Sequence, residues 1–531
     1  MMKRFVLSIS SGLILAFSWP TYGFPLLIFF GFIPILYNEY IIRKSKGKRK
    51  GLKIFLYSYL SFFIWNLITT YWLWYADPFG ASFAILANSL LMTLVFFTYH
   101  KVAKRIPANR ALIFLITLWI SFEKFHLHWD LSWPWLNLGH AFSNHTSWVQ
   151  WYEYTGAFGG TLWIWIINAF MFKSIVNYKA FPNKLTLKKI SISLALLIVI
   201  PIGVSLWIYN SISLEGEKIN VIALQPNVDP YTEKYSQNNI KVAEELIQLS
   251  REKLTDSTQL IIAPETVFAR LMRINSIDNS RVKFELNKLL MENENLHLLF
   301  GASLIKIILK EEDIISTSNK YGDVWHNYYN SALFFNKKKK TEKYHKSKLV
   351  VGIENFPYQD VLKPILGDVM IDLGGTVAMK TTQPERSVFR AIDSTFSVAP
   401  IICYESVYGE FVTEYIRKGA DALAVITNDG WWDTSQGHKQ HLSFSKLRAI
   451  ETRRDIVRSA NTGISVIINK RGEITSSLGY GEKGALSGII SKNNQVTFYS
   501  KMGDYIARIS FFIWICMIFI IFFRKSKSVK N

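Results

Sequence analysis

The chain has 531 residues, of which 50% are hydrophobic, 15% aromatic and 19% charged. Charged side chains make up about a quarter of a soluble globular protein, so this chain has too few of them to be water-exposed throughout. The apolar composition excludes an intrinsically disordered chain. The two cysteines exclude a disulfide framework and a cysteine-rich metal fold. The sequence therefore predicts a protein embedded in a membrane.

Eight apolar segments have about the length needed to cross a bilayer, which takes about 20 residues. They cover residues 5–19, 24–42, 54–74, 80–100, 111–125, 157–177, 190–209 and 506–523. The first segment is short and follows Lys3 and Arg4, so a cleaved signal peptide is the alternative for it. No small-residue cleavage site follows it, and the next apolar segment begins soon after Pro20.

The loops between these segments predict their orientation. Basic residues number seven in 43–53, four in 101–110, five in 173–189 and four in 524–531, and Lys3 and Arg4 bring the total to 22, with no acidic residue among them. Because loops rich in Lys and Arg stay in the cytoplasm, eight spans place both termini there and residues 211–505 outside. The formal charge of +21 therefore indicates topology, and we expect no nucleic-acid binding.

Residues 211–505 alternate between short β-branched segments and amphipathic segments of helical length. The predicted strands are 219–225, 260–265, 296–304, 397–405, 422–429 and 464–469, and the predicted helices are 236–254, 281–293 and 440–456. This pattern predicts an α/β domain with its own core, placed between a seven-span membrane domain over 1–210 and a last span with a basic tail over 506–531. Since no phosphate-binding glycine loop or metal-ligand spacing occurs in the sequence, we expect no cofactor and no metal.

Three polar residues of this domain form a possible catalytic set. Glu265 and Cys403 end apolar strands, and Lys346 follows a predicted hairpin. Taken singly, each has an ordinary alternative: a helix-capping carboxylate, an inert core thiol and a solvated lysine. Together they suit acyl transfer by a thiol, in which a thiolate attacks, a carboxylate moves its proton and an ammonium stabilises the oxyanion. Burial should raise the pKa of Glu265 and let it accept that proton.

The second cysteine has a different setting. Cys516 lies inside the last predicted span, where it is expected to serve only in packing. An unpaired cysteine outside the cytoplasm is, by contrast, a candidate reactive thiol. Of the two, Cys403 is therefore the predicted nucleophile.

Several motifs resemble a known family. They are WPWLNLGHAFS (133–143), WYEYTGAFGG (151–160), QPN (225–227), APE (263–265), YNSALFF (329–335), YHKSKLV (344–350), ICYE (402–405), TNDGWW (427–432) and the run over 437–465. The order Glu, Lys, Cys resembles the nitrilase superfamily, and the motifs resemble its apolipoprotein N-acyltransferase branch over nearly the whole chain. This resemblance implies a multi-span α-helical membrane domain joined to a nitrilase-like αββα sandwich. It also implies that Glu265 is the general base, Lys346 the oxyanion stabiliser and Cys403 the nucleophile.

The resemblance suggests further active-site residues. Glu354, Tyr404 and Glu405 would support the three catalytic groups. The sequence departs from the family around Glu354, because the glycine that commonly stands directly before this glutamate is here two residues away, at Gly352. The resemblance therefore supports a role for Glu354 less directly than it supports roles for Glu265, Lys346 and Cys403.

Three aromatic residues are candidates for lining the substrate cavity. Tyr235 is the aromatic residue of the loop after Gln225 that would shape a lipid entrance. Trp431 and Trp432 would line the cavity, with a place in the hydrophobic core as the alternative reading for both.

The function implied by the resemblance is a two-step acyl transfer. Cys403 would take a fatty acyl chain from a phospholipid and pass it, through a thioester, to the N-terminal cysteine of a diacylglyceryl apolipoprotein. The expected location is the inner (cytoplasmic) membrane, in contact with its lipids, with the catalytic domain on the periplasmic side. A membrane-tethered amidase acting on a small substrate is the first alternative, although one anchor would then suffice. A non-catalytic scaffold or transporter is the second, although most predicted spans lack the ionisable residues of transporters.

Overall fold

The computed structural model describes residues 2–358 and 379–528. The chain divides into two compact units. The helical unit comprises Met1–Trp74, Pro78–Ser211 and Met502–Asn531, and the α/β unit comprises Tyr75–Asp77 and Ile212–Lys501.

The helical unit contains a helix at each of the eight apolar segments. Its α-helices are Met2–Ala16, Ile28–Gly31, Ile33–Lys44, Lys50–Thr70, Leu73–Ala76, Pro78–Ala103, Ala108–His126, Tyr152–Thr155, Ala157–Ala180, Lys184–Ser211 and Tyr505–Ser528. Among the described residues, five helical segments are long and apolar enough to cross a membrane: Pro25–Lys44, Lys50–Thr70, Pro78–Ala103, Ala157–Ala180 and Lys184–Ser211. Crossing of a membrane by the eight segments stays a prediction.

A buried carboxylate lies inside the helical unit. The side chain of Glu123 accepts hydrogen bonds from Trp119 Nε1 at 3.0 Å, from the backbone N–H of Leu138 at 3.0 Å and from Thr161 Oγ1 at 2.8 Å. These three donors join the helices Ala108–His126 and Ala157–Ala180 to the loop between them. The burial of Glu123 is therefore matched by hydrogen bonds from neutral groups, as buried polar atoms require.

Two β-sheets form the centre of the α/β unit. Their strands are β1 Lys218–Gln225, β2 Thr258–Ile262, β3 Phe268–Arg273, β4 His297–Ile308, β5 Asn319–Tyr321, β6 Val324–Phe335, β7 Glu342–His345, β8 Phe389–Arg390, β9 Ser397–Ile402, β10 Ala422–Thr427, β11 Ile456–Ala460, β12 Ser465–Ile468, β13 Ile474–Leu478 and β14 Gly484–Ser491. The first sheet has the order β14-β1-β2-β4-β6-β5, with β3 on β4 and β7 on β6. The second has the order β13-β12-β11-β10-β9-β8.

Parallel pairing fixes where each sheet can carry functional groups. In the first sheet β1, β2 and β4 are parallel, and in the second β9, β10 and β11 are parallel. The carboxyl ends of parallel strands meet at one edge of a sheet, where α/β proteins bind ligands. The loops after β2 and β9 are therefore placed at such edges.

Helices cover the outer faces of the two sheets. Asn239–Arg251 and Arg281–Leu290 pack through buried apolar side chains, among them Leu246 and Leu286, onto the first sheet. On the second sheet, Tyr415 of the helix Gly409–Arg417 donates a hydrogen bond to the carbonyl of Pro400 at 3.2 Å. Among the described residues of this unit, the longer α-helices are Asn239–Arg251, Arg281–Leu290, Gly409–Arg417, Gln436–Thr452 and Phe498–Met502.

The two sheets pack face to face. Ser459 Oγ of β11 donates to the carbonyl of Leu224 in β1 at 2.6 Å, and Gln225 Oε1 accepts from Ser465 Oγ of β12 at 2.6 Å. With helices on both outer faces, the described part of the unit is an αββα sandwich. The predicted fold class is confirmed.

Three local predictions about element ends were wrong. The helix predicted over 440–456 ends at Thr452, because Arg453 adopts a left-handed conformation with φ of 51° and β11 begins at Ile456. The strands predicted to end at 265 and 405 end at Ile262 and Ile402. After β9, residues 403–407 form a 3₁₀ turn, and the next helix begins at Gly409.

Candidate active site

A tight turn beyond β2 carries Glu265. The turn crosses β4 at Gly301, whose backbone N–H donates to the carbonyl of Pro264 at 3.2 Å. A Cβ at Gly301 would lie 2.4 Å from both the Pro264 carbonyl oxygen and the Thr266 nitrogen, so only glycine allows this approach. Thr266 has a φ of 46°, which turns the chain sharply after Glu265. The carboxyl group of Glu265 is thereby held in a buried position, 6% exposed.

Lys346 follows β7 and lies between two carboxylates. Its Nζ is 2.8 Å from Glu265 Oε1 and 2.8 Å from Glu354 Oε2. The side chain is 1% exposed, and its backbone N–H donates to the carbonyl of Asn330 in β6 at 2.8 Å. Glu354 therefore belongs to the same cluster as the two predicted groups, despite the departure of its local sequence from the family.

Asn330 joins these groups from the middle of β6. Its Nδ2 donates to Glu265 Oε1 at 2.7 Å and to Glu354 Oε1 at 2.8 Å. Sequence reasoning missed this role, although Asn330 stands in a motif quoted for the resemblance. The available signal was a polar residue inside an apolar strand, YNSALFF. Asn330 thus fixes the positions of both carboxylates.

Cys403 occupies a strained turn directly after β9. Its φ of 50° is a left-handed value that non-glycine residues seldom adopt. The turn is held through the carbonyl of Cys403, which accepts from Ser406 Oγ at 2.8 Å and lies 3.2 Å from His441 Nε2. The side chain is 8% exposed. Strain of this kind persists only where surrounding contacts enforce it, and it is concentrated at active sites.

Glu405 connects the cysteine turn to the lysine segment. Its Oε1 accepts from Tyr344 OH at 2.6 Å and from the backbone N–H of Ser347 at 2.7 Å, two residues that flank the lysine. Its Oε2 accepts from the backbone N–H of Ile402, which directly precedes the cysteine, at 2.8 Å. Burial raises the pKa of Glu405 to about 7. With all of these bonds formed inside the protein, Glu405 holds the two sheets in register at the site.

A second lysine affects the charge of Glu265. Lys234 Nζ donates to the backbone carbonyl of Glu265 at 3.3 Å. Burial alone would raise the pKa of Glu265, but the ammonium groups of Lys346 and Lys234 outweigh burial and hold this pKa below its ordinary value. The sequence-based expectation of a raised pKa was therefore wrong, because the two cations come from segments distant in the chain. Glu265 is ionised at neutral pH.

The thiol and the lysine both favour their protonated forms. Burial, supported by the charge of Glu265, raises the pKa of the Cys403 thiol, against the opposing effect of Lys346. Burial disfavours the ammonium form of Lys346, but Glu265, Glu354 and Cys403 outweigh it and raise the pKa of Lys346 well above its ordinary value. At neutral pH the resting site therefore holds a neutral thiol, an ionised carboxylate and an ammonium group.

Tyr404, predicted as a supporting residue, and Tyr235, predicted to line the substrate cavity, lie beside this cluster. Tyr404, 6% exposed, packs edge-on against Tyr408 with ring centroids 5.2 Å apart. The ring centroid of Tyr235 lies 5.9 Å from Lys234 Nζ. Tyr404 is thus buried beside the nucleophile, and Tyr235 belongs to the segment that brings Lys234 to Glu265.

The two predicted tryptophans form contacts outside the hydrophobic core. Trp431 packs edge-on against Tyr231 with centroids 5.1 Å apart, and Trp432 packs edge-on against His441 at 5.7 Å. Both indoles are partly exposed. A core role is therefore excluded for them, and lining of a substrate cavity stays a prediction.

A buried ionic network that sequence reasoning did not assign supports the cysteine turn. Asp429 Oδ1 lies 2.9 Å from both Thr427 Oγ1 and His441 Nδ1, and its Oδ2 lies 2.5 Å from Arg458 Nη2. Burial acts to raise the pKa of Asp429, but Arg458 and His441 outweigh it and hold this pKa far below its ordinary value. The other nitrogen of His441 faces the carbonyl of Cys403. The network thus supports the Cys403 turn through the side chain of His441.

The arrangement has the parts of a thiol acyl-transfer site. The first sheet carries Glu265 and Lys346, and the second carries Cys403, whose thiol interacts electrostatically with both. Among the residues that the structure describes, no group of three His, Cys, Asp or Glu side chains is placed to hold a metal ion. A carboxylate, an ammonium group and a thiol therefore share one buried site.

Comparison with known proteins places this site in a family. The carbon–nitrogen hydrolase family matches residues 218–494, more than half of the chain, and the N-terminal domain of apolipoprotein N-acyltransferase matches residues 11–170. The chain belongs to the carbon–nitrogen hydrolase family, in its apolipoprotein N-acyltransferase branch. The predicted resemblance is confirmed.

Individual relatives named apolipoprotein N-acyltransferase align with most of the chain. Apolipoprotein N-acyltransferase of Chlorobaculum tepidum is 26% identical, with 96% of this chain and 94% of that protein covered. The enzyme of the same name from Rickettsia prowazekii is 28% identical, with 94% of each covered. The crystal structure of Saccharomyces cerevisiae Nit3, a nitrilase-superfamily member, covers 53% of this chain and 92% of its own at 14% identity and a TM-score of 0.36. The protein is an acyltransferase enzyme of this family.

Proposed function

We propose that this acyltransferase moves a fatty acyl chain from a phospholipid to the N-terminal cysteine of a diacylglyceryl apolipoprotein. The observation that carries the proposal is the buried pair of Lys346 Nζ and Glu265 Oε1, 2.8 Å apart, which interacts electrostatically with the Cys403 thiol. The match of residues 11–170 to the N-terminal domain of apolipoprotein N-acyltransferase supports the lipoprotein as acceptor. Glu265 acts as general base, Lys346 as oxyanion stabiliser and Cys403 as nucleophile.

The first half-reaction transfers the acyl chain to the enzyme. Glu265 takes the thiol proton, and the Cys403 sulfur attacks the ester carbonyl carbon of the phospholipid. Lys346 stabilises the negative oxygen of the tetrahedral intermediate. When the carbon–oxygen ester bond breaks, Glu265 returns the proton to the leaving oxygen, and a lysophospholipid departs. The chain remains as a thioester on Cys403.

The second half-reaction forms an amide. The α-amine of the acceptor attacks the thioester carbonyl, and Glu265 accepts a proton from the attacking nitrogen. The carbon–sulfur bond then breaks, and the proton goes to the Cys403 sulfur, which restores the resting thiol. A thioester suits both halves because an ester can form it and an amine readily opens it.

Lipid energetics explain why such an enzyme needs apolar helices. Each CH₂ group moved from hydrocarbon into water costs about 0.8 kcal/mol, so exposing a 16-carbon chain would cost on the order of 12 kcal/mol. That cost would add directly to the activation barrier. The proposal therefore requires the acyl chain to stay in hydrocarbon while its ester group reaches Cys403. Tyr235, Trp431 and Trp432 are proposed to line its route.

The basic loops support an orientation for the enzyme. The 22 basic residues in four loops or tails and at the N-terminus favour a cytoplasmic location for both ends of the chain. The proposal therefore places the helices in the inner membrane and the α/β unit on its periplasmic side.

The test follows the acyl chain by mass spectrometry. The purified enzyme is mixed with phospholipid and a diacylglyceryl peptide, and lysophospholipid and triacylated peptide are measured. We expect Cys403→Ala to form neither product, with Cys516→Ala as the matched control that retains activity. Without peptide, an acyl adduct should appear on the peptide fragment that contains Cys403. An adduct on Cys516, or free fatty acid with unchanged peptide, would contradict the proposal.

A further inference from the structure

Lys234 is a buried ammonium group that the proposed reaction does not use. It lies in the loop between β1 and the helix Asn239–Arg251, and it is 7% exposed. Its Nζ donates to the backbone carbonyl of Glu265 at 3.3 Å, not to the carboxylate. It therefore leaves Glu265 Oε1 to Lys346 and Asn330 while placing its charge next to the same residue.

Burying a second cation in this site needs an electrostatic reason. Removing an ammonium group from water costs several kcal/mol. Lys234 interacts with Glu265 and Cys403, whose negative forms favour its charge, with Glu354 in the same sense and with Lys346 in the opposite sense. Lys380 interacts electrostatically with Glu354 and Lys346. Lys234 is thus, like Lys346, a cation that interacts with both partners of the proposed proton transfer.

We propose that Lys234 is a positioning residue that keeps Glu265 ionised, and so able to take the proton of Cys403. The inference rests on the proposed function, in which Glu265 is the base. Without the charge of Lys234, only Lys346 would remain of the two cations beside this carboxylate, and Lys346 is shared with Glu354. Proton transfer moves the negative charge from Glu265 to the sulfur, and Lys234 faces both, so it opposes neither state.

The charge of Lys234 is present in the pH range where it matters. Burial lowers the pKa of Lys234 to about 8, against the opposing effects of Glu265 and Cys403. The ammonium form therefore predominates at neutral pH and below. Glu265 must be ionised to act as a base, and the cation favours its ionised form. Removing the cation raises the pKa of Glu265, so the loss of activity should be confined to acidic conditions.

The test compares pH profiles of Lys234→Met, Lys234→Arg and Lys241→Met in the full chain. Lys241 is exposed and lies seven residues further along, so its variant is the matched control. Two rates are measured between pH 4 and 9.5: acyl transfer to the peptide, and alkylation of Cys403 by iodoacetamide followed by mass spectrometry. For Lys234→Met we expect the acid limb of both profiles to shift to higher pH by about one unit. At a given pH on this limb, each rate should then be about tenfold lower than in the wild type. Lys234→Arg and Lys241→Met should follow the wild type.

The outcomes separate this inference from the proposed function. If Lys234→Met loses the same factor at every pH, Lys234 only anchors the Glu265 turn, and the inference is wrong. An unchanged profile, or an arginine variant that behaves like methionine, overturns it as well. If wild-type enzyme forms no triacylated peptide, the proposed function fails, yet the alkylation profiles still report on Lys234. Equal melting temperatures of the variants exclude misfolding as the cause of a shift.

Discussion

Two buried glutamates, one in each unit, are stabilised by different kinds of partner. Glu123 in the helical unit accepts its hydrogen bonds from an indole, a backbone amide and a hydroxyl, all of them neutral. Glu265 in the α/β unit has the ammonium groups of Lys346 and Lys234 beside it in addition to a neutral amide. Neutral donors suffice to satisfy a buried acceptor, whereas cations hold it in its charged form. Burial alone therefore does not mark a catalytic carboxylate.

The difference can be tested by one isosteric substitution at both sites. Glutamine has the shape of glutamate and keeps one carbonyl oxygen, but it can neither ionise nor accept a proton. A residue that serves only as an acceptor should tolerate the change, and a general base should not.

The largest effect is expected for Glu265→Gln. Its remaining oxygen can still accept from Lys346 Nζ, so the fold should persist, but the route for the Cys403 proton is lost. General bases contribute about 10²–10⁴-fold to rate, and acyl transfer to the peptide should fall by that factor. Glu244→Gln, an exposed change in the helix Asn239–Arg251, is the control. Retention of more than a tenth of wild-type turnover would remove Glu265 from the role of base.

A smaller loss of turnover is expected for Gly301→Ala, which removes none of the proposed catalytic side chains but displaces Glu265. The added methyl would overlap the backbone of Pro264 and Thr266, so the turn with Glu265 must move. A displacement of about 1 Å can cost on the order of 10²-fold in rate. Gly203→Ala is the matched control, because a Cβ there meets no atom within 4 Å. Turnover and melting temperature are measured for both, and equal behaviour of the two variants would contradict this account of the turn.

The smallest effect on chemistry is expected for Glu123→Gln. The glutamine oxygen can keep the bonds from Trp119 and Leu138, and Thr161 Oγ1 can turn its proton toward Asn137 Oδ1, 3.2 Å away. Acyl transfer should stay close to wild type. Glu123→Leu instead leaves the Trp119 and Leu138 donors unsatisfied and should lower stability by about 1–3 kcal/mol, measured by thermal unfolding in detergent. A loss of turnover in Glu123→Gln like that of Glu265→Gln would end the distinction between the two sites.

The sequence was sufficient for features that depend on neighbouring residues. Apolar runs located the eight helices, and β-branched runs located β1, β2, β4, β9, β10 and β12. It was insufficient at element ends, where Arg453 leaves the helical region although the apolar pattern continues to Val457. The apolar pattern shows only which side chains are buried. Because the same residues could be buried in a continuing helix or in a following strand, the pattern does not locate the helix end.

The candidate site depends on contacts that no local pattern records. Lys346 became a candidate only in combination with Glu265 and Cys403 and through the family resemblance, since a lysine in a charged run is ordinarily solvated. Asn330 and Lys234 were missed because they meet Glu265 across 65 and 31 residues of chain. The direction of the Glu265 pKa was wrong for the same reason. Pairing of distant strands decides which charges face each other.

The pairing of β1 with β14 has a consequence for how the α/β unit can be separated from the rest of the chain. Lys218 pairs with Ser491 and Gln225 with Gly484. The strand of this unit that is synthesised first can therefore complete its pairing only after the last strand has been synthesised. A fragment that stops after β13 would contain every residue of the reaction centre, yet it would leave β1 with a bare edge open to other chains. Resistance to aggregation therefore depends on this closing strand, and a stable autonomous fragment has to extend through it.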